Sequence, residues 1–134
     1  MPTVELTRAN FADTIATNDI VLVDFWASWC GPCRSFAPVY EQSSDAHPGI
    51  VYGKVDTEAE QEIAAAFQIQ AIPTLVAFRD KIIIFSQSGA LPPAAFEDLV
   101  GQIEALDMDE VRRRLADAED GAEGEQASAR ASEG

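Results

Sequence analysis

The chain has 134 residues, 47% of them hydrophobic, and a formal net charge of −14. This length and composition are typical of a single folded domain that is large enough to bury a core. Because the charge is strongly negative, neither a nucleic acid nor an anionic membrane surface is an expected partner. No apolar run reaches transmembrane length, and residues 1–8 lack the apolar stretch of a signal peptide. Together these features predict a cytoplasmic protein.

Two patterns of apolar residues follow one another in turn along the first 106 residues. Short β-branched or aromatic runs predict strands, whereas apolar residues spaced three and four apart predict helices. Helices are expected between the first four of these strands and after the last one. The predicted strands cover residues 3–6, 20–27, 50–55, 75–78 and 82–85.

Four local features give more specific expectations. Pro38 lies inside a predicted helix and should kink it, because proline removes one backbone hydrogen bond. Residues 57–60, with the sequence TEAE, form a capping-box pattern that predicts a helix start at Thr57. The unbroken apolar run of residues 82–85 predicts a strand covered on both faces. The turn before it contains Asp80-Lys81, whose turn type the sequence leaves open.

Both cysteines lie in residues 23–33, with the sequence VDFWASWCGPC, where a buried strand leads into a helix expected to begin at Cys33. The positive end of a helix dipole stabilises a thiolate, which is the nucleophile of thiol–disulfide exchange. Cys30 should therefore attack a disulfide, and Cys33, the more buried thiol one turn further along, should release the product. Gly31 permits a tight turn, and Pro32 suits a first helical turn.

Other uses of a cysteine pair fit this sequence poorly. A zinc site needs about four ligands, and the chain adds only the remote His47 to its two cysteines. Covalent haem attachment requires a histidine after the second cysteine, where this chain has Arg34. A structural disulfide across two residues would constrain little of the unfolded chain.

The motif around Cys30 and Cys33 resembles the active site of the thioredoxin family, and the resemblance extends over residues 3 to about 106. It implies the thioredoxin fold, an α/β fold with a mixed central sheet flanked by helices on both faces. It also implies a general protein-disulfide reductase and electron carrier, re-reduced by thioredoxin reductase and acting on proteins that contain disulfides. The expected redox group is the Cys30–Cys33 disulfide itself, without a cofactor or metal, in a monomer.

The same resemblance identifies a groove for an extended substrate strand. Residues 72–74, with the sequence IPT, are similar to the family's cis-proline loop, which lies beside the dithiol. Ala71 stands where the family usually has glycine. The residues expected to line this groove are Trp29, Gly31, Pro32, Ile72, Pro73 and Gly89.

Asp24 is an acidic residue within an apolar strand. An unpaired buried charge is unfavourable, so burial should raise the pKa of this carboxyl group. Asp24 is expected to accept the proton of Cys33 when that thiol attacks. Lys54 matches the family lysine near this aspartate and is expected to be its electrostatic partner. The alternative is that Asp24 is a core residue with satisfied hydrogen bonds.

Two other functions remain open at this point. An oxidase or isomerase could share the fold, although Gly31 and Pro32 between the cysteines and the lack of a nearby histidine disfavour it. A binding module without redox activity is disfavoured because both cysteines and Asp24 are present.

The last residues differ in composition from the rest. Residues 1–106 are expected to form the thioredoxin domain and residues 107–119 a short helix capped by Asp107. Residues 120–134 have no large apolar side chain and are expected to be a disordered acidic tail.

Overall fold

A computed structural model describes residues 3–119. The strands are β1 (Thr3–Glu5), β2 (Ile20–Trp26), β3 (Val51–Asp56), β4 (Thr74–Arg79) and β5 (Ile82–Ser88). The helices are α1 (Phe11–Thr17), α2 (Gly31–Ala46), α3 (Gln61–Ala66) and α4 (Pro93–Ala105). One compact unit ends at Glu104, and a second begins at Ala105.

The strands form one mixed sheet in the order β1-β3-β2-β4-β5. β3 runs parallel to both β1 and β2, whereas β4 runs antiparallel to β2 and β5. β2 is therefore central, and its residues 21–25 are all buried. A strand buried on both faces reads as a continuous apolar run, which is why its position could be predicted. The predicted fold class is confirmed.

Side chains of β2 alternate between two apolar clusters, one on each face of the sheet. Leu22 packs in the cluster that contains Phe36 and Tyr40 of α2. Val21, Val23 and Phe25 pack in the other cluster. Since side chains two residues apart share a face, Asp24 lies on the same face as Leu22, under α2.

The helix start predicted at Thr57 is wrong. α3 begins at Gln61, and its N-cap residue Glu60 makes no side-chain capping bond. The preceding residues form a turn instead, because Asp56 Oδ1 accepts the backbone N–H of Glu58 at 2.9 Å. Thr57 Oγ1 is also used elsewhere, since it donates to the Trp26 carbonyl at 3.1 Å. A long-range bond to β2 thus replaces the expected local cap.

The prediction that β5 is covered on both faces is also wrong. β5 lies at the edge of the sheet, and the side chain of Ile83 is 52% exposed. The preceding turn has positive φ angles at both central residues, 51° at Asp80 and 70° at Lys81. This pair of angles is that of a type I′ hairpin turn, whose twist matches that of the strands it joins.

The second unit contains a helix over residues 108–119. Asp107 caps it, because its Oδ1 accepts the backbone N–H of Asp109 at 3.0 Å and that of Glu110 at 3.2 Å. The tail predicted over 120–134 lies outside the described residues. Within residues 3–119, no helix is long and apolar enough to cross a membrane.

Gly53 of β3 provides a test of how closely β1 and the loop after it pack on the sheet. A methyl group at Gly53 would overlap the fully buried side chain of Leu6 and lie 3.2 Å from the Leu22 carbonyl oxygen. Gly53→Ala should therefore lower the free energy of unfolding by about 1–3 kcal/mol in chemical denaturation. Gly49→Ala is the matched control, because a Cβ there meets nothing within 4 Å. Equal stability of the two variants would contradict this packing.

Candidate functional site

Cys30 and Cys33 form a disulfide at the N-terminus of α2, with their Cα atoms 5.2 Å apart. Cys30 is the N-cap residue, so α2 begins at Gly31 rather than at Cys33 as predicted. The Cys30 sulfur accepts the backbone N–H of Cys33 at 3.2 Å. It thus occupies the position of a capping oxygen, where free N–H groups and the helix dipole favour negative charge. This position favours a thiolate on Cys30 when the disulfide is reduced.

Exposure does not distinguish the two cysteines, contrary to the prediction that Cys33 is the more buried. Cys30 is 4% exposed and Cys33 is 3% exposed. Cys30 is covered because the loop before β4 lies against it, with the Ile72 carbonyl oxygen 3.7 Å from its sulfur. The difference between the two sulfurs is therefore the cap position and not access to solvent.

The loop at Ile72–Pro73 has the predicted cis peptide bond. The Pro73 carbonyl accepts the backbone N–H of Gly89 at 2.8 Å, which brings Gly89 to this loop. Gly89 has a φ of 109°, a conformation that glycine adopts without strain. Thr74 fixes the other end of the loop through its Oγ1, which donates to the Ala71 carbonyl at 2.5 Å. The structure thus brings the Ile72 carbonyl to the Cys30 sulfur, and it brings Gly89 to the loop that carries Ile72 and Pro73.

Trp29 is 65% exposed beside a surface cleft of about 180 Å³. Its Nε1 donates to Glu58 Oε1 at 2.9 Å. The sequence analysis placed Glu58 only in the helix start predicted at residues 57–60, because nothing local links it to a tryptophan 29 positions earlier. The cleft also includes Ala64, Ile69 and Gln70, which the sequence analysis did not single out. Its walls are formed in part by Trp29, Ala64, Ile69, Gln70, Ala71 and Ile72.

Asp24 is 1% exposed, and neither of its carboxylate oxygens has a hydrogen-bond partner within the described residues. Burial raises its pKa from 3.8 to about 7, and the positive charge of Lys54 opposes this rise only in part. The predicted direction of the pKa shift is confirmed. The charge of Asp24 also contributes to the raised pKa of Tyr40 on α2, as expected if Asp24 faces this helix. The alternative of a core residue with satisfied hydrogen bonds does not fit.

Lys54 lies opposite Asp24 in the register of β3 and β2. Its ammonium group does not form an ion pair with Asp24 in the described part of the chain, but lies 4.8 Å from the centroid of the Trp26 ring. A cation over an aromatic face is held there by the ring quadrupole. Lys54 therefore acts on Asp24 through space.

No group of three or more His, Cys, Asp or Glu residues within 3–119 is arranged to hold a metal ion. His47 lies at the opposite end of α2 from the dithiol, where its Nε2 contacts Glu97 at 2.8 Å.

The raised pKa of Asp24 predicts how stability depends on pH. Between pH 3.8 and about 7, the folded protein retains a proton that the unfolded chain releases, so the free energy of unfolding falls as pH rises. Asp24→Asn should abolish this fall and be more stable than the parent at pH 7.5 by on the order of 2–4 kcal/mol.

Chemical denaturation from pH 3.5 to 8 measures this effect, and the difference should vanish at the acid end. Asp45→Asn is the matched control, because it removes the same charge from an exposed position of α2. An Asp24→Asn variant less stable than the parent at pH 7.5 would show that the ionised carboxylate stabilises the fold.

Comparisons with known proteins agree with this geometry. The family profile described as thioredoxin matches residues 2–102. A Streptomyces coelicolor protein named putative thioredoxin 2 is 56% identical over 115 residues, which cover 86% of this chain and 86% of that protein. A bifunctional thioredoxin reductase/thioredoxin of Mycobacterium leprae is 44% identical over 79 residues, covering 58% of this chain but 17% of that protein. A solved mutant thioredoxin from Halobacterium salinarum has a TM-score of 0.73 and 30% identity, covering 79% of this chain and 94% of that one. The chain therefore belongs to the thioredoxin family.

Proposed function

We propose that this protein is a general protein-disulfide reductase and electron carrier of the cytoplasm that acts as a monomer. The observation that carries the proposal is the Cys30–Cys33 disulfide, with Cys30 as the N-cap of α2 beside the Ile72 carbonyl. In that position a thiolate would be stabilised by the helix, and an extended chain would approach it along the loop at Ile72.

The proposed reaction transfers two electrons from the dithiol to a substrate disulfide. The Cys30 thiolate attacks one substrate sulfur, so that a mixed disulfide forms and the other substrate sulfur leaves as a thiolate. The Cys33 thiolate then attacks the Cys30 sulfur. The mixed disulfide breaks, the second substrate thiolate leaves, and the Cys30–Cys33 disulfide forms.

We assign Asp24 as the acceptor of the Cys33 proton in the second step. Its pKa of about 7 supports this role, since a general base works best when its pKa is near the working pH. Its place under α2 supports it too, because that helix carries Cys33. Lys54 limits the rise in the pKa of Asp24, and so keeps part of the carboxyl group ionised near neutral pH.

A substrate strand would bind along the surface beside the dithiol. The exposed Trp29 and its cleft offer apolar contact, and the backbone of the loop at Ile72 lies beside Cys30, where a substrate strand would pair. The residues that we assign to this surface are Trp29, Gly31, Pro32, Ile72, Pro73 and Gly89.

The reductant that regenerates the dithiol would be thioredoxin reductase, a flavoprotein. The Mycobacterium leprae relative supports this partnership, because its name joins a thioredoxin reductase and a thioredoxin in one protein. The redox group of this chain would be the Cys30–Cys33 disulfide alone, without a further cofactor. A reducing compartment fits a catalytic rather than a structural disulfide.

The order of the two thiols gives a direct test with 5,5′-dithiobis(2-nitrobenzoate), a small disulfide that releases a coloured thiolate. The reduced parent protein should release two thiolates per chain, because Cys33 resolves the mixed disulfide. Cys33→Ser should release one and retain the other on Cys30, as mass spectrometry would detect. Cys30→Ser is the matched control and should react much more slowly, because Cys33 lacks the cap position.

Two results would contradict the proposal. If the parent released only one thiolate, the protein would not complete the reduction, and a binding module would be the better interpretation. If Cys30→Ser reacted as fast as Cys33→Ser, the assigned order of the two cysteines would be wrong. Repeating the test with insulin shows whether the same order holds for a protein disulfide.

A further inference from the structure

Two hydroxyl groups connect the end of the edge strand β5 to the loop at Ile72. Ser88, the last residue of β5, lies opposite Thr74, the first residue of β4, in the antiparallel register of the two strands. Their Oγ atoms are 2.9 Å apart. Thr74 Oγ1 also contacts the Ala71 carbonyl oxygen. A chain of hydrogen bonds therefore runs from β5 through β4 to the start of this loop.

The chemistry of the three groups fixes the direction of these hydrogen bonds. A carbonyl oxygen can only accept, so the single hydroxyl proton of Thr74 is donated to Ala71. Ser88 must then donate its own proton to Thr74 Oγ1. Because consecutive hydrogen bonds polarise one another, the donation from Ser88 strengthens the bond between Thr74 and Ala71. Thr74 is only 5% exposed, so water has little access to replace Ser88 as the donor.

The residue after Ser88 attaches the loop at a second point. The backbone N–H of Gly89 donates to the Pro73 carbonyl at 2.8 Å. Together with the contact at Ala71, this bond holds the loop on both sides of Ile72. The Ile72 carbonyl oxygen in turn lies 3.7 Å from the Cys30 sulfur. The end of β5 therefore sets the position of the Ile72 backbone beside the nucleophile.

We propose that Ser88 is a positioning residue for extended substrate chains, because its hydroxyl group acts through Thr74 to hold the Ile72 backbone where a substrate strand pairs. This proposal rests on the proposed reductase function. Strand pairing requires main-chain groups at fixed positions, and a loop that is already ordered loses less conformational entropy when a chain binds. A small disulfide has no main chain to pair with the loop. Ser88 thus favours protein disulfides over small ones.

The test compares a protein disulfide with a small one. Ser88→Ala removes the donor but leaves the bonds of Thr74 to Ala71 and of Gly89 to the loop. Insulin should oxidise the reduced variant about two- to tenfold more slowly than the parent, the range that corresponds to the loss of one hydrogen bond. Oxidation by 5,5′-dithiobis(2-nitrobenzoate) should not slow. Rapid mixing, quenching by alkylation and mass spectrometry measure both rates.

Three further variants serve as controls. Ser86→Ala is the matched one, because Ser86 is an exposed serine on the same face of β5 that lies opposite Val76, whose side chain cannot form a hydrogen bond. It should leave both rates at the parent values. Ser88→Thr retains a hydroxyl group and should restore the rate with insulin. In a Thr74→Val background, Ser88→Ala should cause little further loss, because the group through which Ser88 acts is already absent.

Several results would overturn the proposal. One is a rate with insulin that falls no further in Ser88→Ala than in Ser86→Ala, and another is an equal slowing with both disulfides. A purely structural hydroxyl group would lower the melting temperature without changing the ratio of the two rates. An equally large loss in the Thr74→Val background, or no rescue by Ser88→Thr, would also overturn it. Failure of the proposed function would appear separately, as incomplete reduction of both disulfides by the parent protein.

Discussion

The chemistry of this protein depends on the junction between β2 and α2. A strand buried on both faces ends at Trp26, and four residues later the sulfur of Cys30 caps the helix by accepting the N–H of Cys33. The strand cannot shift without moving its buried side chains to the wrong face of the sheet. The capping sulfur is therefore held at the helix N-terminus, and the Ile72 loop from β4 covers it.

Asp24 lies in the same buried strand, where an ionised carboxyl group is energetically unfavourable. It has no hydrogen-bond partner within the described residues, and Lys54 compensates only part of its desolvation. Such a residue lowers the stability of the ionised folded protein. Its retention under the helix that carries Cys33 is understandable if the protein-disulfide reductase needs a group there that gains and loses a proton near neutral pH.

Polar side chains from different elements lie near this junction. Asp24 lies beneath α2 with a raised pKa, whereas Arg34 lies in the first turn of α2 and donates to the Ser28 carbonyl. Glu58 holds the indole of Trp29, the residue before Cys30, through a hydrogen bond. Each of these contacts acts on a segment of only a few residues, so small changes there are expected to alter reactivity more than the fold.

Most of the fold and the dithiol could be predicted because their signals are local. The apolar run of β2, the spacing of Phe36 and Tyr40, and the two cysteines at a strand-to-helix boundary can all be seen within short windows. The features that were missed depend on contacts distant in sequence. Thr57 bonds to Trp26 instead of capping α3, and the Ile72 loop buries Cys30 as deeply as Cys33.

The edge position of β5 was missed for a similar reason. Strand order in a sheet is a property of the whole chain, and a short apolar run looks the same in a central strand and in an edge strand. The arrangement of Asp24 and Lys54 could be predicted only in part. The unusual aspartate is visible in the sequence, but the placement of Lys54 over Trp26 is not.

The reduction potential of the Cys30–Cys33 pair is the most direct test of this account. Equilibration of the full chain with defined ratios of reduced and oxidised glutathione, followed by trapping and mass spectrometry, measures it. A general reductase must have a potential well below that of glutathione, so that the disulfide persists even in excess reduced glutathione. A potential well above that of glutathione would contradict the account, because such a pair would oxidise its substrates.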